Sequence, residues 1–564
     1  MPSELDQKFD AVLAVVTKPG EGRIQIGRDE AGRAIVTNLP PTLPIFFDAF
    51  CALYGQTEGV IAGDERLTFA DLNGHATRLA HALVSRGIDK GDRVAIAMRN
   101  CPAWIVSYIA AVKAGAIATL VNGWWQPDEL KHGLKLTEPK LVIADAGRAK
   151  RIAATGLPLD VVTLEVERHL DEALAPLLDG TSPDAALPQV GPDDDATILF
   201  TSGSTGAAKG AVSTHRAVTT GVYAYSISLA TLLGIKESMG DPPKNPLKTL
   251  VNVPLVHVTG EVPVMLNSFV INRSMVLMPK WDAGEALRLI EQERITYFVG
   301  VPTMSLELMT HPDRARYDLS TLTDIAAGGA PRPVAHVERL QQSFRGAQPA
   351  LGYGLTETNA AGCGNFWSNY ANKPASTGRA QKPIVELAIL GEGGAHLPPG
   401  ERGEIAIRSA SNIRGYWRDE RATANAFTAD GYFRTGDVGY LDEDGYLFIV
   451  DRLKDIIIRG GENICAAEVE SAIYAHDKVS EAAVFGIPDE RLGEVPGAAI
   501  HCEEQGTLDG EALAAFLQDR LAGFKIPARI WVYPDPLPKL GTGKIDKVTL
   551  RQRHRSEVTG SGSN

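Results

Sequence analysis

From Leu79 onward the apolar positions switch between two periods. In "RLAHALVSRG", Leu79 and Leu83 stand one helical turn apart and Gly87 closes the run, so the spacing predicts a helix. The next segment, "RVAIAM" at 93–98, is a continuous apolar run of strand length. Pro102 then opens a helix predicted to reach Gly115. "IATLVN" reads as a strand, "QPDELKHGLK" as a helix and "KLVIAD" at 140–145 as another strand. Repeated β-α units imply a largely parallel sheet covered by helices. A second series follows: strand "TLVNVPL", helix "AGEALRLIEQERI", strand "YFVGVP", then "DIAAGGAPRP" at 324–333. After about Lys373 short alternating runs with turn signals, "GEIAIRS" and "GYLDEDGYLFIVDR", predict a small β-rich portion. From Ile456 the texture is α+β, and "GEALAAFLQDRLAG" puts Leu513, Phe516, Leu517 and Leu521 on one helical face. The expected class is α/β: a large N-terminal domain of two helix-covered, mostly parallel sheets with a small β-rich subdomain, followed by a small α+β domain.

Composition narrows the function. The chain has 564 residues, 44% hydrophobic and 22% charged, enough for several cores. A formal charge of −13 speaks against nucleic acid or an anionic membrane surface as partner, since both need a basic excess. Cys51, Cys101, Cys363, Cys465 and Cys502 are scattered without C-x-x-C spacing, which suggests neither a disulfide framework nor structural zinc and fits a reducing cytoplasm. "MPSELDQKFDAV" carries no secretory pattern. The stretch from Trp104, "WIVSYIAAVKAGAIATLVN", is the membrane candidate, but Lys113 and Gly115 interrupt it and it divides into a helix and a strand, so no integral membrane segment is expected. Residues 559–564 are left out of the fold as a flexible tail.

The candidate chemistry begins at "TSGSTGAAKG", 201–210. Glycines expose backbone N–H groups to phosphate oxygens and a lysine adds charge. A Walker lysine follows Gly and precedes Ser or Thr, whereas Lys209 follows Ala208 and precedes Gly210. Ser204 is not in a G-x-S-x-G elbow, because position 202 is Ser. What remains is a loop after the strand "ATILF", rich in hydroxyls and amides and suited to a polyphosphate; taken alone, such a run is also an ordinary solvent loop.

Other motifs accompany it: "GYGLTETN" at 352–359, "YFRTGDVG" at 432–439, "DRLKDIIIRGGENICAAEVE" at 451–470 and "PKLGTGKIDK" at 538–547. With these the sequence resembles the adenylate-forming superfamily of acyl-CoA synthetases, aryl-CoA ligases, luciferases and adenylation domains, most of all the bacterial acyl-CoA synthetases. The motifs run in the family's order from about Thr68 to about Lys547.

The resemblance implies an enzyme that activates a carboxylic acid with Mg-ATP as acyl-AMP, releasing pyrophosphate, and then transfers the acyl group to CoA. It implies that Thr201, Ser202, Gly203, Ser204, Thr205, Gly206 and Lys209 grip the β- and γ-phosphates. Tyr353 would stack on adenine, Thr356 meet the α-phosphate and Glu357 bind Mg2+, while Gly329, Ala330 and Pro331 line the other face of adenine. Asp437, helped by Arg452, would accept the ribose hydroxyls. Lys544 would be the catalytic ammonium for adenylation, and Lys454 the hinge between domains 1–453 and 454–558, the second of them mobile. Gly460 and Gly461 would admit the pantetheine arm of CoA. Plainer readings stand beside these: Tyr353 as a core aromatic at a turn, Glu357 as a helix N-terminal charge.

His257 in "VPLVHVTG" falls where the family has an aromatic or histidine beside the acyl tunnel, or else is a core histidine. Glu261 is the acidic residue near that strand, where amino-acid-activating relatives place an aspartate, which disfavours an amino acid substrate. Small apolar segments, "VGVPTM", "AAGGA" and "NAAGCG", leave room for an aliphatic, aryl or polycyclic acid. Trp124 and Trp125 are read as packing between sheet and helix, with an entrance rim or a homodimer contact as alternatives. The runner-up function is a stand-alone acyl-AMP ligase that loads a carrier protein.

Overall fold

The structure, a computed structural model, describes residues 2–201, 208–329, 332–344, 346–452, 455–459, 462–489, 491–502, 506, 508–540 and 543–560. The first β-α series forms one seven-stranded sheet. Arg93–Ala97, Ile117–Leu120, Leu141–Asp145, Val161–Leu164 and Asp195–Thr201 are mutually parallel; Lys209–Thr214 is antiparallel at one side, and Gly415–Tyr416 adds the edge. The stretch from Trp104 is the helix Pro102–Lys113 followed by the strand Ile117–Leu120, buried throughout, as the break at Gly115 implied. A different helix, His215–Ser238, is the one long and apolar enough to cross a membrane among the described residues, and 72% of its apolar window is buried inside the protein.

The second series forms a thirteen-stranded sheet. Its parallel half holds Glu58–Ala62, Ser274–Leu277, Lys248–Val251, Tyr297–Gly300, Asp324–Gly328 and Gln348–Gly354. The β-rich portion expected after about Lys373 continues this same sheet as its antiparallel half, through Gly378–Ala380, Tyr446–Arg452, Phe433–Leu441, Gly403–Arg408 and Glu386–Leu390. The strand Gly362–Phe366 joins the two halves. This is possible only because the backbones close up there: a Cβ on Gly354 would stand 2.0 Å from Ala360 O, and one on Gly362 2.2 Å from Tyr353 O.

The C-terminal part has a five-stranded sheet of its own, built around the long hairpin Val479–Asp489 and Gly493–Cys502, with helices Ala466–Tyr474 and Gly510–Gln518 over it. Leu513 and Leu517 are fully buried there, and Phe516 and Leu521 pack against the same cluster, as their spacing predicted. Trp125 packs on Phe200 with ring centroids 4.9 Å apart. Trp124, expected to pack likewise, is 45% exposed, with the Arg148 guanidinium 5.9 Å from its ring. Trp124 sits in a turn beyond the strand Ile117–Leu120, which leaves it at the surface while Trp125, next in the chain, faces Phe200.

Candidate active site

The glycine-rich loop is the connection of a β-hairpin. Thr201 ends one strand, Lys209 begins the next, and the two are paired across the ladder. Ser202, Gly203, Ser204, Thr205 and Gly206 lie outside the described residues, as do Ala330, Pro331, Lys454, Gly460 and Gly461. The hairpin therefore holds Lys209 at the mouth of the loop. Its ammonium sits 4.9 Å from the centroid of the Tyr416 ring, on the edge strand paired to it.

Tyr416 is a residue that the motif reading missed. Its hydroxyl donates to Glu357 Oε1 at 3.0 Å, so it joins the hairpin of one sheet to the carboxylate carried by the other. Burial, then the adjacent Glu357 charge, push the phenol well above its ordinary pKa and keep it a donor. Its signal in the sequence was slight, a Gly-Tyr-Trp run with no charge or repeat.

Glu357 lies in a single turn, Thr356–Thr358, directly after the strand Gln348–Gly354. Two left-handed residues follow, Asn359 at φ 49° and Ala360 at φ 61°, a conformation an alanine adopts only when its surroundings hold it there. Asn359 Nδ2 donates to Ser411 O at 2.8 Å and to Ser213 Oγ at 2.9 Å, and the Tyr225 hydroxyl donates to Ala360 O at 2.8 Å. The Ile413 N–H donates to Glu357 O at 2.9 Å. These bonds anchor the segment that presents Thr356 and Glu357.

Tyr353 donates from its hydroxyl to Asp437 Oδ2 at 2.6 Å. The Asp437 backbone N–H donates to Thr435 Oγ1, and Asp437 stands opposite Arg452 in the ladder. The structure thus brings together the aromatic, the acid and the backbone of the arginine that the motifs had singled out separately.

Lys544 arrives from the small domain. A Cβ on Gly329 would lie 3.3 Å from Lys544 Cε and 3.4 Å from Nζ, so the lysine end lies against the bare backbone of Gly329, which itself has φ +75°. The turn carrying it is seated by Gly543, φ +79°, where a Cβ would come 3.2 Å from Val301 Cγ2. Lys539 adds a bridge from the same turn to Glu307, 3.4 Å away on the helix Pro302–Thr310. His257 is held neutral at pH 7, its pKa pushed down to about 4 by burial and then by the Lys544 ammonium. Its Nε2 is buried without a partner among the described residues. Glu261 is fully buried on a π-helical segment, Gly260–Leu266; it accepts from the Tyr108 hydroxyl at 2.7 Å, and burial raises its carboxyl to about 7.

No group of three or more His, Cys, Asp or Glu side chains is placed to hold a metal by itself among the described residues. A single carboxylate at Glu357, aimed by Tyr416, fits a hard cation that takes its remaining oxygens from phosphate.

Two sheets meeting at a glycine-rich hairpin, with Lys544 delivered to Gly329 by a small C-terminal domain, have the arrangement of an adenylate-forming enzyme. The chain belongs to the AMP-binding enzyme family: residues 47–417 match that family and residues 468–544 its C-terminal domain. It is 37% identical to a feruloyl-CoA synthase of an Amycolatopsis species over 87% of this chain and 94% of that one. It is 33% identical to a long-chain-fatty-acid–CoA ligase of Bacillus subtilis over 88% of this chain and 90% of that one. Among solved structures, ATP-bound MatB from Rhodopseudomonas palustris is similar, with a TM-score of 0.80, 28% identity and coverage of 92% of this chain and 99% of that one.

Proposed function

We propose that the protein is a cytoplasmic, ATP-dependent acid–CoA ligase for an apolar fatty, aryl or polycyclic acid, working in two half-reactions. The observation that carries the proposal is Lys544, from the small domain, lying against Gly329 with its charge felt at His257. A carboxylate is a poor electrophile because it is anionic and lacks a good leaving group. In the first step its oxygen attacks the α-phosphorus of ATP, an O–P bond forms, and the bond to the bridging oxygen breaks to release pyrophosphate.

Lys544 binds the substrate carboxylate and the bridging oxygens where negative charge gathers. Thr356 meets the α-phosphate, while Thr201 and Lys209 at the hairpin mouth, with the loop between them, hold the outer phosphates. Mg2+ at Glu357 would spread the charge of the transferring phosphate. Tyr353 lies along adenine opposite the 329–331 segment, and Asp437 with Arg452 takes the ribose. In the second step the CoA thiolate attacks the acyl carbon and AMP leaves, with Lys454 as the hinge of a rotation that brings Gly460 and Gly461 to the acyl group.

A neutral His257 suits an apolar tunnel wall. A buried Glu261 that is already bonded to Tyr108, and whose pKa is raised to about 7, is a weak partner for an ammonium, which supports an acid without an α-amino group. Five free cysteines, four of them buried, support a reducing compartment.

The test is pyrophosphate release with Mg-ATP over fatty, aryl, polycyclic and amino acids, each with and without CoA. CoA-dependent turnover on one apolar class is the expected result. Release that stalls after one turnover and ignores CoA would replace CoA by a carrier protein.

A further inference from the structure

Arg332 directly follows the 329–331 segment and is only 5% exposed; among the described residues none of its three guanidinium nitrogens makes a well-aligned hydrogen bond, and the side chain that bonds it loosely is Tyr370. Its Cζ lies 5.9 Å from the centroid of the Tyr370 ring, and the buried Tyr370 hydroxyl turns to that guanidinium, with no well-aligned hydrogen bond to any group among the described residues. A third polar group stands on the first turn of the helix Val334–Ser343: His336 is 6% exposed and its Nδ1 has no partner among the described residues. The three lie within electrostatic reach of one another, since the Arg332 charge acts on both Tyr370 and His336.

No carboxylate pairs with Arg332 among the described residues. Lysine or histidine buried in this way could shed its proton, but arginine stays charged at any pH the fold survives. Water would satisfy its donors without balancing its charge; an anion does both. The N-terminus of the helix points the same way, because Pro333 as N-cap makes no side-chain bond to the first-turn N–H groups.

We propose that Arg332, Tyr370 and His336 form a binding site for a phosphate-class oxyanion, beside the nucleotide segment and at the border of the two domains. Arg332 supplies the charge and a fork of donors, and the Tyr370 hydroxyl and His336 supply further donors. The border is marked by His336, whose ring meets that of Tyr474 from the small domain edge to face at 5.8 Å. The oxyanion is either free phosphate or pyrophosphate, the latter a product of the proposed reaction, or the 3′-phosphate of CoA. The inference depends on binding alone and stands whether or not the ligase reading does.

The experiment is titration of the full chain, by calorimetry and thermal shift at constant ionic strength, with inorganic phosphate, pyrophosphate, CoA and dephospho-CoA. Wild type is compared with Arg332→Met, Tyr370→Phe and His336→Gln. Loss of a charge-assisted fork weakens binding about tenfold or more in Arg332→Met, and by less in Tyr370→Phe, which keeps the charge. If Arg332→Met does not fold, the other two variants carry the comparison. CoA binding tighter than dephospho-CoA in wild type but not in the variants assigns the site to the 3′-phosphate; a variant-sensitive response to phosphate or pyrophosphate alone assigns it to the free anion. Equal binding of every probe by wild type and variants, or no binding of any by wild type, overturns the proposal.

Discussion

The Tyr353 hydroxyl reaches Asp437 Oδ2 at 2.6 Å although three strands lie between theirs in the sheet. In a flat sheet four strand spacings would separate them by ~19 Å. The antiparallel half must therefore curl back on itself, and this hydrogen bond closes the curl around the apolar cluster of Cys363, Ile389, Ile405 and Leu447. The bond that closes the curl joins the two residues proposed to hold adenine and ribose.

Tyr353→Phe keeps the ring and removes that bond. A hydrogen bond to a charged acceptor is worth about 1.5–3 kcal/mol. The KM for ATP should rise about tenfold or more, with a much smaller change in kcat, as measured by pyrophosphate release under saturating acid. An unchanged KM for ATP would separate Asp437 from ribose binding.

Tyr416→Phe leaves the ring beside Lys209 but removes the hydroxyl that donates to Glu357. Half-maximal activity should then require several-fold more Mg2+, while the ATP concentration dependence at saturating Mg2+ stays near that of wild type. Tyr416→Ala also removes the ring and should raise the ATP requirement as well. Identical magnesium curves for wild type and Tyr416→Phe would remove Tyr416 from the site.

The two half-reactions should separate by mutation. Lys544→Ala removes the ammonium proposed to face the developing charge and should slow acyl-AMP formation about a hundredfold or more, with ATP still bound. Gly461→Leu should slow thioester formation from a supplied acyl-AMP more than it slows adenylation. Single-turnover measurements of each step decide this, and equal loss of both steps in Gly461→Leu would count against the proposed loop exchange.

Acid should unfold the protein through buried histidines. His215 is 1% exposed, and its Nδ1 accepts from the Leu43 N–H at 3.2 Å, a bond available only to the neutral ring. Burial pushes its pKa down to about 4, and His336 is pushed down to about 4 in the same way. With folded values below the unfolded value, the unfolded chain binds more protons in this range, so stability is complete above about pH 6.5 and falls as pH drops toward 4. The full difference corresponds to ~3 kcal/mol for a fully buried ring. His215→Gln should flatten the dependence of the denaturation midpoint on pH between 6.5 and 4. A midpoint that falls as steeply in the variant would transfer the effect to other groups.

Much of the architecture was legible because its signals are local. Continuous apolar strands and Gly- or Pro-bounded helices between residues 79 and 145 announce a buried parallel sheet, since only a strand covered on both faces lacks polar alternation. The motifs around Lys209, Glu357, Asp437 and Lys544 were legible because they match the family's motifs in residue type and in order along the chain. Tyr416 was not, because it acts by reaching across two sheets and its neighbours in sequence carry no sign of that. Trp124 and Trp125 illustrate the same limit: sequence places two tryptophans at a helix entrance, and only their side-chain directions separate the packed one from the exposed one.

The sequence by itself determined the order of the elements, the residue types of the site and the family's chemistry, because periodicity, turn residues and motif spacing are properties of neighbours along the chain. Tertiary structure alone decided that the β-rich portion continues the second sheet, that Tyr353 and Asp437 meet across it, that Lys544 comes to rest on Gly329, and that Arg332 is buried without a counter-charge among the described residues. Each of these depends on which distant surfaces exclude water from one another, and that is settled only when the chain is packed.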